Sequence, residues 1–569
     1  MYYTHVLEIP KKTPKVTKKN INGINYVYYE YARDYDKKSQ HSKPKRRIIG
    51  KAIEVTDDTI RLNPNDTYYY YFPNAVIPEK FENNNRSKCL RVGSFIVIKK
   101  IIEDYGIDEM IRDDIGKDSG LFLDFAAYSI VTEDNAGQYY PNYAYNHALF
   151  TKEMHVYSDS KISRMLNGIS ADQAIAFLNE WNAGRNHRER IYFSYDSTNK
   201  NVQAGNIEMA EYGKPKDDQG KTIINVAVAY DQKNREPLFY EYYPGSIPDI
   251  SQLQYMLESA DGYGYKNIGF ILDRGYFSKD NIKYLDDHGY EFIIMVKGKK
   301  DLIRDLISEN KGKFEEDRHN YIKEYGVSGY TFEHTLYDGD EKKRYFHLYY
   351  SYGKYAAERN ALEDKLSRME RIMTRNKGKE RDYPEEYHRY YMMYYGFKGD
   401  VIAFQEKTRE IENETDYYGY FAIVTSEKMT AREALILYKG RDSSEKLFRG
   451  DKTYMGSRTE RTEKNESTES KLFIEFIGMI IRNRIYTSLI DYSVKSGNYN
   501  NYLTVPAAIG ELEKIEMICG NDGIYRMSHS VSATEKSILE AFDIDEEFVE
   551  REIQEIQEKL KKGNVEPEE

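Results

Sequence analysis

IYFSYDSTN (residues 191–199) opens the stretch on which the fold turns. Its aromatic and apolar residues have the pattern of a strand, and the reading ends that strand at Asp196, Ser197 and Thr198. KTIINVAVAYD (221–231) and EPLFYEYYPG (236–245) are two more strand-like runs, joined by a short turn containing Asn234. ISQLQYMLESADGYG (250–264) has helical spacing. NIGFILDRGYFS (267–278) contains a short, fully apolar strand that closes on Asp273, Arg274 and Gly275. A helix over SKDNIKYLDDHGY (278–290) and a strand over EFIIMVKG (291–298) complete the run.

Three strands in meander, then helix, strand, helix, strand, is the order of a ribonuclease-H-like α/β core. Functional groups in such sheets collect at strand ends. Two neighbouring strands would bring Asp196 and Asp273 together. A lone Asp at a strand end more often caps a turn or helix, so the pair alone decides little.

Further on stands YKGRDSSEKLFRGDK (438–452), within a predicted helix TAREALILYKGRDSSEKLF (430–448). At about 100° per residue, steps of three, four and seven put Tyr438, Arg441, Glu445 and Lys452 on one face. Ile436 and Leu447 fall opposite, where a core would want them. Carboxylate, cations and phenol on one face suit a metal ion and a phosphate backbone, although i,i+4 charge pairs on a solvated helix give the same pattern. Asp196, Asp273 and Glu445 together form the set that two-metal phosphodiester cleavage requires. No Cys/His cluster accompanies them, which favours two Mg²⁺, or Mn²⁺, over zinc.

The rest of the chain arranges itself around this core. Residues 1–85 read as a basic β-rich unit, with strands over INYVYYEYARDY (24–35) and RRIIGKAIEV (46–55). Lys43, Lys45, Arg46 and Arg47 stand beside an intervening turn, where they suit DNA phosphates, although a basic hairpin is as often only solvated. NDTYYYYFPN (65–74) reads as an edge strand. Residues 86–190 read as a helical DNA-binding or spacer block with Trp181 in its core. The catalytic core then spans 191–297 and 426–495, separated by a β-rich insertion with one charged helix at 298–425. The polar segment 453–470 is expected to lead over the site, and 471–492 to form a long amphipathic helix. Residues 496–569 form a helical end whose last helix, 545–563, is expected to be a solvated face or a subunit contact.

The signature Tyr438-KG-Arg441-DSS-Glu445-KLFRGD-Lys452, with Asp196-Ser197-Thr198 and Asp273-Arg274-Gly275, resembles that of DDE transposases of the IS4 superfamily. The chain is most similar to the IS1634-type insertion-sequence transposases. The similarity extends to YVYYEY (26–31), KPKRRIIGK (43–51) and YFAIVTSEKMTAREALILYKGR (420–441). One position departs: many relatives carry Trp directly after the signature Arg, and here Asp442 stands.

The resemblance implies a core with a β-rich insertion between the second Asp and the Glu, and 171 residues separate Asp273 from Glu445. It implies Mg²⁺-dependent cut-and-paste movement of an element bounded by terminal inverted repeats. Asp196, Asp273 and Glu445 would hold the metals, and Tyr438, Arg441, Lys452 and Arg274 would contact DNA. The implied partners are double-stranded DNA, as transposon ends and target, and a second copy of the chain in a homodimer. A nuclease or resolvase that cuts without joining, or a disabled DNA-binding descendant, are the alternatives.

Composition agrees with a DNA-handling enzyme. Residues 1–51 hold 13 Lys/Arg against 4 Asp/Glu, a net of +9, in a chain whose total is −11, leaving −20 for the remainder. A basic arm on an acidic body is common in DNA-handling enzymes, and also in proteins that never meet DNA. Two cysteines in 569 residues, Cys89 and Cys519, exclude a disulfide framework. No apolar run reaches the roughly 20 residues of a membrane span, and the N-terminal stretch lacks a secretory apolar region. A cytoplasmic protein without membrane contact is the expectation.

Overall fold

Strand Ile191–Val202 lies inside a ten-stranded mixed sheet, paired on both sides. The computed structural model describes residues 2–563, apart from 4, 22, 37–39, 76–85, 186–189, 205, 217, 297–299, 338, 341, 377, 380–382 and 521–522. The start of the expected basic turn (37–39), the expected boundaries at 85 and 297, and residues 380–382 of the polar run in the insertion lie outside the described residues. The chain forms two units. One comprises Met1–Gln173, Tyr454–Gly456 and Glu469–Glu569, and the other Ala174–Thr453 and Ser457–Thr468.

In the second unit, Ile191–Val202 pairs antiparallel with Thr222–Asp231, which pairs antiparallel with Glu236–Pro244. On its other side it pairs in parallel with Ile268–Leu272, and that strand in parallel with Glu291–Met295. The spatial order third, second, first, fourth, fifth is that of a ribonuclease-H-like core. All five residues of Ile268–Leu272 are buried. A parallel strand covered on both faces must be apolar on both, and each Ile, Leu or Phe so buried contributes about 1.5–3 kcal/mol. Helices Asp249–Gly262 and Lys279–Asp287 form as the spacing predicts. Trp181 is fully buried, its indole N–H donating to the Pro237 carbonyl at 3.0 Å.

Four strands of the insertion continue this same sheet. Tyr420–Thr425 pairs antiparallel with the fifth core strand, followed outward by Lys343–Tyr350, Val327–Thr335 and Tyr321–Ile322. Helix Lys300–Asn310 adds to the one charged helix expected in the insertion. The remainder of the insertion, helix Tyr352–Asn376 with hairpin Tyr391–Tyr395 and Val401–Glu406, has its own core of Leu362, Leu366, Met369, Tyr387, Tyr391 and Ile411.

The first core strand does not end at Asp196. It runs to Val202, and Thr459–Glu460 pairs in parallel with Asn201 and Val202. The polar segment thus adds a short strand beside the far end of the first core strand, because Glu460 and Lys200 are drawn into a buried ion cluster there.

In the first unit, five antiparallel strands form a sheet in the order Leu7–Pro10, Thr59–Pro64, His41–Val55, Ile24–Asp36, Val16–Ile21. The expected edge strand at 65–74 is instead a helix, Asp66–Tyr71. The Asn65 side chain caps it by accepting the Tyr68 N–H at 3.2 Å, and Tyr68 and Tyr69 turn into a core with Ile9, Val27, Ile49 and Leu62. Lys43, Lys45, Arg46 and Arg47 all lie within strand His41–Val55, which begins five residues before the expected start at Arg46. Pairing with the neighbouring strand draws them in: Lys45 meets Asp34 at 2.6 Å, Arg46 meets Glu30 at 3.5 Å, and Arg47 lies over the Tyr31 ring.

Helices Gly93–Tyr105, Ser119–Thr132 and Asp159–Gly168 belong to the same unit. Residues 471–481 of helix Asn465–Ser496 are all buried, so this segment is enclosed on every side rather than amphipathic. Its Glu475 is accommodated by the Asn135 side-chain N–H at 3.2 Å. Helix Glu546–Gly563 buries Val549, Ile553, Ile556 and Leu560, and its Glu552 and Glu555 accept from Lys99 at 2.7 and 3.1 Å. Its apolar face is therefore spent within the chain, while Glu546, Glu547, Glu550, Arg551 and Gln554 leave the other face exposed. Among the described residues, no helix is long and apolar enough to cross a membrane.

Candidate active site

Strand register sets the first two carboxylates. Leu272 pairs with Tyr195 across the parallel strands, so the next residues, Asp273 and Asp196, stand level. Asp273 leaves its strand and caps the short turn Arg274–Tyr276, accepting the Gly275 N–H at 3.3 Å. Asp196 remains in its strand and accepts the Ser197 N–H at 2.9 Å. Burial pushes the Asp196 carboxyl up to about 6; Lys216, the Ser197 N–H and Arg441 pull it back, and Asp273 adds to the rise.

The third carboxylate arrives on a broken helix. Thr430 and Glu433 form a capping box that starts helix Ala431–Gly440. The helix packs closely on the sheet at Gly329, where a Cβ would lie 2.9 Å from that of Ala431. The expected single helix ends at Gly440, and a second, Asp442–Tyr454, begins beyond Arg441. The joining bond is weak, the Glu445 N–H standing 3.5 Å from the Arg441 carbonyl. Asp442 and Glu445 occupy the second helix's first turn, where the positive end of the helix dipole favours acidic side chains. That is the local role of Asp442, the position at which this signature departs from its relatives.

The four signature residues do meet. Tyr438, Arg441, Glu445 and Lys452 line one cleft of about 570 Å³ with Asp196, Asp273 and Arg274. The expected core side is partly reversed: Leu447 is buried, but Ile436 is 38% exposed, and Tyr438 is buried beside Ile271 and Leu435. Burial pushes the Tyr438 phenol up to about 12, leaving it a neutral hydroxyl. Lys43, Lys45, Arg46 and Arg47 belong to the other unit and do not line this cleft.

Lys216, Lys439, Met295 and Phe448 also line the cleft and escaped the sequence reading. Lys216 donates to the Ser197 carbonyl at 2.6 Å and to its hydroxyl at 3.0 Å. It comes from a polar loop without periodicity, so no pattern marks it. Lys439, beside Tyr438 in the signature, could have been found by extending the helical face.

Arg441 occupies the middle of the carboxylates. Its Nη2 donates to Glu445 Oε1 at 2.7 Å, and its Nη1 stands 3.4 Å from Asp273 Oδ1 and 3.9 Å from Asp196 Oδ2. Its side chain is 13% exposed. Burial opposes the charge, but Asp273, Tyr438, Asp196 and Glu445 outweigh it and raise the guanidinium's pKa. Oxygen donors with no Cys or His are the chemistry of a magnesium site. As placed, no three His, Cys, Asp or Glu among the described residues stand close enough to hold one ion. The donor types of Asp196, Asp273 and Glu445 suit a divalent metal, and in this arrangement Arg441 stands between them.

A comparison with curated proteins finds no match. Among solved structures, a similar chain is that of piggyBac transposase in a synaptic complex with hairpin DNA, 9% identical with a TM-score of 0.30. The alignment covers 71% of this chain and 63% of that one. A family model described as the transposase DDE domain matches residues 193–481, just over half of the 569, and the chain belongs to that family.

Proposed function

We propose that this chain is a cut-and-paste transposase of the IS4 superfamily that cleaves and joins the ends of an insertion sequence. The observation that carries this reading is the register that sets Asp196 and Asp273 level, with Glu445 reaching the same cleft. Asp196, Asp273 and Glu445 are the residues that would hold two Mg²⁺ or Mn²⁺. The ions, when bound, neutralise charge on the scissile phosphate and make water and a 3′-OH better nucleophiles. Arg274, Arg441 and Lys452 hold DNA phosphates, and the neutral Tyr438 hydroxyl is a hydrogen-bond donor beside them. The same reading includes a homodimer that pairs two ends, which the mass of the purified DNA complex checks.

Lys43, Lys45, Arg46 and Arg47 supply part of the grip on end DNA, since four basic residues on one exposed strand segment suit a phosphate backbone. Substituting all four by Ala is expected to lower the slope of log binding constant against log salt by about 2–4. An unchanged slope would remove this strand from the interface.

The test of the function is incubation of the protein with Mg²⁺ and labelled DNA carrying the sequence that flanks its own gene. The expected result is cleavage at a repeat boundary followed by joining of the freed 3′ end to a second DNA. Cleavage without joining would convert the reading to a nuclease or resolvase. Binding without cleavage would mark a disabled descendant.

A further inference from the structure

Arg441 is poorly matched to its present surroundings. A guanidinium carries five N–H donors in a planar fork. Here only the bond to Glu445 is short, the two Asp carboxylates lie at 3.4 and 3.9 Å, and Nε has no hydrogen-bond partner among the described residues. A phosphate diester offers that fork two parallel bonds, a better match than three carboxylates at unequal distances. The same three carboxylates are the oxygen donors that metal binding requires, and Arg441 stands among them.

We infer that Arg441 is a positioning residue that serves as a stand-in cation, and that its transfer from the carboxylates to a DNA phosphate couples DNA docking to metal loading. This rests on the reading of Asp196, Asp273 and Glu445 as the metal-holding set. Without DNA, the guanidinium neutralises carboxylates that would otherwise repel one another inside the cleft, and divalent ions compete with it. With DNA docked, it moves to the phosphate and the carboxylates become available. Coupling of this kind is reciprocal, so metal ions also strengthen DNA binding through the same side chain. The arrangement keeps the cleft poor in metal until a substrate has arrived.

The experiment is calorimetric titration of Mn²⁺ into the full chain, with and without a duplex carrying the sequence that flanks its gene, for wild type, Arg441→Gln, Arg441→Lys and Asp196→Asn. Thermal melting first establishes that each variant is folded. Wild type is expected to bind Mn²⁺ about tenfold more tightly when DNA is present. Arg441→Gln without DNA is expected to bind about tenfold more tightly than wild type without DNA, and to gain less than about threefold from the duplex. Arg441→Lys, which keeps the charge but not the fork, is expected to fall between them. Arg441→Gln binding no more tightly than wild type, while Asp196→Asn abolishes binding, would overturn the exchange and leave the metal-holding set standing. An equal gain from DNA in wild type and Arg441→Gln would also overturn it, because general attraction of cations to DNA would then suffice. Mn²⁺ binding that survives Asp196→Asn would bring down the metal-holding set and the exchange with it.

Discussion

Asp196→Asn and Glu445→Gln each reduce DNA cleavage at least about a thousandfold and leave DNA binding in place, the expected outcome for loss of one charged oxygen donor from a metal-dependent phosphoryl-transfer site. Both substitutions keep the shape and volume of the side chain, so the fold has little reason to respond. Asp196 has the stricter requirement. It is 15% exposed and level with Asp273, whereas Glu445 is 49% exposed on a helix with room to adjust. The residual rate of Asp196→Asn should therefore be the lower of the two. Gel-resolved cleavage of an end-containing duplex, with a mobility-shift assay alongside, measures both quantities. Cutting by Asp196→Asn at the wild-type rate would remove that carboxylate from the mechanism.

Lys200→Met has the largest expected effect on stability. Lys200, Asp451 and Glu460 are all fully buried, with Lys200 Nζ 2.9 Å from Asp451 and 3.6 Å from Glu460. Methionine fills the space but leaves two carboxylates in the interior without the ammonium between them. Breaking a buried ion pair in this way costs about 3–5 kcal/mol. The cluster joins the strand that bears Asp196 to the helix that bears Glu445 and Lys452, so the loss should fall on the site-bearing unit. Chemical denaturation followed by hydrogen exchange in strand Ile191–Val202 measures it. A shift below about 1 kcal/mol would mean that the cluster tolerates a missing cation and contributes little to holding the helix.

The parts of this protein that were legible in its sequence are those where one local pattern has one outcome. The apolar run at 268–272 could only be a covered strand, and the strand-helix alternation around it gave the core order. The spacing of Tyr438, Arg441, Glu445 and Lys452 brought four side chains to one cleft although the helix beneath them breaks. What stayed hidden depended on distant partners. Ile191–Val202 reads as ending at Asp196 because polar residues follow, and only Asp451 and Glu460, some 250 residues away, explain why Lys200 can continue it into the interior. The tyrosine run at 68–71 has strand propensity, but a cap at Asn65 and a core beneath it favour a helix. Lys216 entered the cleft from a loop that carries no periodic signal. Arg441 was marked as a DNA contact by its helical face and by the resemblance, and its place among three carboxylates emerged only from the fold.

The sheet that insertion strands extend also sets an order of events during synthesis. Asp196 lies on, and Asp273 directly follows, a strand made within residues 191–273, yet the fifth core strand receives its outer neighbour only when Tyr420–Thr425 has been made. Until then a growing chain would present an open strand edge, the kind of surface on which chains aggregate. Glu445 follows within 20 residues of Thr425, so closing the edge and completing the carboxylate set occur almost together on the ribosome. A chain cut short within the insertion would lack both.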